Sequence, residues 1–124
     1  HTTKLLDLMT DVLFNPAFPP EEMEKLKTQT LSGLAASKDN PSAIASNVRN
    51  ALVYGKQHPY GLFTTEKSVG AITLDDCKAY YNTYFKPNNA YLIIVGDIDL
   101  KTARSLSEKY FTKWTPGEVK NPTY

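Results

Sequence analysis

The residues of this chain that could do chemistry are few, and their spacing restricts what they could do. His1 and His58 are the only histidines, and neutral imidazole is a common zinc ligand. Neither has a second His, Cys or acid three or four positions on to form a chelating helical face, so both read against a metal role. His58 precedes a Pro-Tyr turn, where a structural hydrogen bond is the simpler expectation. Cys77 is the single cysteine and falls on the Ile72, Tyr80, Tyr84 side of its segment, the setting of inert packing rather than of a nucleophile. Asp97 and Asp99 in GDID could bind a cation only with further converging oxygens, and no calcium-loop spacing follows; strand end and helix cap is the better reading. In EEMEKLKTQTLSGL, Leu26 and Gly33 stand seven apart and so near one helical face, where two carboxylates could hold and tune a metal. Neither is a carboxylate.

Other chemistries are no better supplied. Serines are plentiful, but no Gly-x-Ser-x-Gly turn accompanies them. The aromatic residues of AYYNTYF read as core and rim rather than as a stacking platform. The basic residues of EKLK and KTARSLSEK alternate with acids at helical spacing, which describes a solvated face. The residues themselves therefore offer no complete catalytic site: the expected catalytic, cofactor-binding and metal sets are all empty.

These residues must be positioned by a chain of 124 residues, 41% hydrophobic and 22% charged, in the range of one ordinary domain. Its 14 basic and 13 acidic side chains nearly cancel to +1, so no net field implies nucleic acid or anionic lipid. One cysteine excludes an internal disulfide and a thiolate metal cluster. No apolar run approaches the roughly 18 residues that would span a bilayer. An amphipathic segment starts almost at His1, which reads as a piece of a longer chain.

The pattern predicts a helix over residues 3–14, with Leu5, Leu8, Met9, Val12 and Leu13 as its buried stripe and Pro16 beyond its end. A second helix starts at Pro20, with Glu21 and Glu22 near its positive end and a stripe of Met23, Leu26, Thr30 and Leu34. A third is bounded by Asn40 as cap, Pro41 in its first turn and Gly55 after its end, with Ile44, Val48, Ala51 and Leu52 inward. HPYGLFTTEKSVGA has no period and reads as a loop. Thr73 with Asp76 forms a capping box for a helix through Tyr84, stopped by Pro87. Tyr91 to Val95 is a continuous apolar run, read as one strand over about 90–96. A lone strand cannot satisfy its own backbone, so its neighbours are expected outside this sequence or in another copy. Asp99 caps a last helix with Ala103, Leu106, Tyr110 and Trp114 on one face, and residues 116–124 read as a linker.

Taken in order, LMTDVLFNPAFPPEEMEKLK, DNPSAIA, HPYG, ITLDDCKAYYNTYFKPNNAYLIIVGDID and EKYFTKW resemble the insulinase, pitrilysin and mitochondrial processing peptidase family over nearly the whole chain. The resemblance implies an α/β (α+β) fold, with helices packed on a mostly antiparallel sheet, of which this chain would be a partial domain. It would lack the domain's N-terminal strands and its His-x-x-Glu-His helix. Family members cut peptides with one zinc ion, held by that motif and by a glutamate on a later helix, inside a chamber closed by two halves. No His-x-x-Glu-His occurs here. In the later helix, Leu26 and Gly33 occupy the positions of the family's carboxylates. An offset of one position offers Ser32 or Leu34, and Glu24 breaks the match around it.

The resemblance therefore implies a structural, non-catalytic half, with zinc in an active partner half and peptide as substrate of the assembled chamber. Bacterial members with two fused or paired halves look closest, and many of those work in the cell envelope. The alternatives are a scaffold subunit of the same fold without peptidase function, and an unrelated helical interaction module. The isolated chain is expected to self-associate through the segment 90–96 or by helix swapping.

Overall fold

The computed structural model describes residues 1–119, and among these every regular element is helical. Helix α1 is Thr2–Phe14, α2 Pro20–Ser37, α3 Pro41–Tyr54, α4 Glu66–Ala71, α5 Leu74–Tyr84 and α6 Leu100–Phe111; short 3-10 turns occupy Pro59–Gly61 and Pro87–Asn89. The described chain divides into two compact units, one of residues 1–17 and 78–119, the other of residues 18–77; residues 120–124 lie outside the described part.

Local sequence explains where these helices start and stop. The Asn40 side chain accepts from the backbone N–H of Ser42 and Ala43 at 3.0 and 3.3 Å, Pro41 fills the first turn, and Gly55 ends α3 at φ 82°, a conformation that a Cβ resists. Thr73 and Asp76 form the expected reciprocal pair: the Thr73 N–H donates to Asp76 Oδ2 at 2.8 Å and the Asp76 N–H to Thr73 Oγ1 at 3.1 Å. Asp99 accepts from the Thr102 N–H at 2.9 Å and starts α6.

Three expectations are corrected. The first is the fold class. The described residues contain no strand and no sheet, so the chain is all-helical there rather than α/β. Residues 91–95 form no regular element and belong to no ladder, because no described residue exchanges backbone hydrogen bonds with them. The second is the run read as a loop, which contains α4. Its start is a capping box in which Thr65 Oγ1 accepts from the Ser68 N–H at 3.0 Å and Ser68 Oγ from the Thr65 N–H at 2.9 Å.

The third concerns the stripes. Leu5, Leu8 and Val12 are 65%, 58% and 72% exposed, and the partly covered face of α1 is instead Leu6, Thr10, Leu13 and Phe14. In α2 the covered positions are Met23, Lys27, Leu31 and Leu34, with Leu26 and Thr30 outward. In α3 Ile44, Val48 and Leu52 are exposed, and Ala51 alone of the expected set is partly covered. The amphipathic pattern is present, but the surface that its apolar faces would pack against is not among the described residues.

In the first unit α1 packs on α6. Phe14 meets Phe111 and Trp114 edge-on at centroid distances of 6.4 and 6.0 Å, and Tyr81 donates its hydroxyl to the Leu13 carbonyl. Asn88 holds Gly117 by two hydrogen bonds of 3.0 and 3.1 Å. In the second unit α2 packs on α4 and α3 on the Pro59–Gly61 turn. The approach at that turn is close: a Cβ on Gly61 would stand 1.9 Å from the Gly55 carbonyl oxygen. Val69 of α4 is the one buried apolar side chain among the described residues.

Candidate functional site

The decisive positions lie on α2. Pro20 sits in its first turn, and Glu21 and Glu22 accompany the unpaired N–H groups there. Glu22 is further used by Lys25, 3.5 Å away on the exposed surface. One and three turns on, respectively, come Leu26, 58% exposed, and Gly33, exposed with nothing within 4 Å of where a Cβ would stand. Both positions are sterically open, so carboxylates would fit there; the sequence has placed a hydrocarbon and a hydrogen instead. Neither residue offers a donor atom to zinc. Among the described residues no three His, Cys, Asp or Glu side chains converge as a metal site would require.

The other chemically capable residues are engaged locally. His58 caps the Pro59–Gly61 turn, its Nδ1 accepting from the Tyr60 N–H at 3.1 Å, while its ring stacks on Tyr54 at 5.6 Å and meets Tyr60 edge-on at 5.2 Å. His1 precedes α1 and makes no side-chain cap. Cys77 is half-buried in α5. Asp99 is the α6 cap, and Asp97 lies in the bend that follows Gly96. His1, His58, Cys77, Asp97 and Asp99 are thus spread along the chain in separate local roles.

Electrostatics follow the caps. Hydrogen bonds from the Thr73 side chain and backbone hold the Asp76 carboxyl below its ordinary range, with a smaller contribution from the Lys27 charge. Hydrogen bonds from Thr102 do the same for Asp99. Loss of water contact raises the Tyr110 phenol, and hydrogen bonding with Asp7 adds to it.

Two features escaped the sequence reading. Lys27 reaches the Gly70 carbonyl at the end of α4, 3.4 Å away, and Lys38 pairs with Glu66 at 2.7 Å. Both are salt- or charge-assisted ties across many residues that no local pattern announces. Each unit also carries an apolar cleft. In the second, Leu34, Ile44, Val48, Leu52 and Phe63 line about 610 Å³; in the first, Met9, Leu13, Tyr84, Leu92, Phe111 and Trp114 line about 510 Å³.

Residues 71–124 match the family described as the Peptidase M16 inactive domain. An uncharacterized zinc protease of Rickettsia felis is 27% identical over 120 residues, covering 95% of this chain and 29% of that protein. One from Rickettsia bellii is 28% identical over 123 residues, covering 98% and 30%. The uncharacterized zinc protease YmxG of Bacillus subtilis is 23% identical over 112 residues, covering 90% and 27%. The chain therefore spans under a third of the length of these relatives. An all-helical body would by itself have favoured an unrelated helical module; the matches favour the peptidase resemblance instead. These similarities support the resemblance to the insulinase, pitrilysin and processing-peptidase group of zinc peptidases. The stretch matched, residues 71–124, is similar to a domain described as inactive.

Proposed function

We propose that this chain serves as wall and partner surface of a two-half zinc peptidase chamber, shaping the space in which peptides are cut without supplying the metal. The observation that carries the reading is the pair Leu26 and Gly33: the helix is formed, both positions face open space, and neither has a ligand atom. The description of the matched domain as inactive supports it. The partners on this reading are an active half, which holds the zinc, and the peptide enclosed between the halves.

Metal analysis of the purified chain after equilibration with zinc and dialysis tests this. The expected result is no zinc retained above the buffer. Zinc held at one ion per chain, and lost when His58, Glu21, Glu22 or Glu24 is replaced by alanine, would sink the reading.

A further inference from the structure

We draw no further inference here: the strongest candidate, the apolar cleft of the second unit lined by Leu34, Ile44, Val48, Leu52 and Phe63, is an unpartnered face of a chain that spans under a third of the length of its relatives, and nothing in the structure shows what covers it.

Discussion

Trp114 donates its indole N–H to the carbonyl oxygen of Phe85 at 3.2 Å, joining the segment after α6 to the residue that follows α5. The same ring lies edge-on to Phe14, so one side chain links three parts of the first unit. Trp114→Phe keeps much of the apolar contact and removes the donor. A loss of about 1 kcal/mol is expected from the hydrogen bond. Urea denaturation followed by circular dichroism measures it, and an unchanged midpoint would show the bond to be idle.

Gly33 occupies a helix interior with open space around its missing Cβ. Gly33→Ala should therefore stabilise α2 by roughly 0.5–1 kcal/mol, the ordinary difference between the two residues in a helix. The double variant Leu26→Glu with Gly33→Glu should fold as well, and calorimetric titration should find no stoichiometric zinc binding, because no histidine pair is available to complete the site. A gain of tight zinc binding would show that other side chains of the chain can converge after all.

Gly61 answers to the opposite constraint. A methyl group there would overlap the Gly55 carbonyl, so the turn and the end of α3 must move apart. Gly61→Ala should cost roughly 1–3 kcal/mol, the usual range for overpacking. Hydrogen exchange should show faster exchange at Gly61 and Leu62, whose amides donate to the His58 carbonyl. Protection equal to that of the parent chain would exclude the close approach.

The two helix caps built on aspartate should make helicity depend on acid. Asp76 and Asp99 have carboxyls held below the ordinary value of 3.8 by bonds that exist only in the folded chain. Their stabilising contribution is therefore fully present above pH 3.8 and disappears as pH falls through the lower folded-state values. Circular dichroism should record loss of helix in that acid window. Asp99→Asn, which keeps an acceptor at the cap but cannot titrate, should flatten the response; an identical pH profile would argue that other groups dominate.

What could be read from the sequence divides along physical lines. The caps at Asn40, Thr73 and Asp99, and the stop at Gly55, depend on a few adjacent residues and were legible from them. The Thr65 and Ser68 box has the same local nature, and was obscured because serine replaces the usual longer acid and the helix it starts is only six residues long. The stripes of α1 and α3 were legible as patterns but not as contacts. Periodicity tells which side of a helix is apolar, whereas burial needs a second surface, and for Leu5, Val12 and Leu52 no such surface is among the described residues. Tyr91 to Val95 failed for the same reason, since a strand is a relation between two segments. That Leu26 and Gly33 carry no ligand atom is read directly, because it is a property of the residues themselves; that they stand where the family has carboxylates rests on the resemblance.

That Val69 alone is buried among the described apolar side chains sets how the chain responds to heat. The heat-capacity increase on melting comes mostly from apolar surface newly wetted, about 12–15 cal/mol/K per residue in compact proteins. A chain in which many leucines and isoleucines are already wet, and the rest only partly covered, has less left to wet. Its calorimetric step should be shallow and its stability nearly flat with temperature, so that melting resembles the gradual fraying of helices more than the collapse of a core.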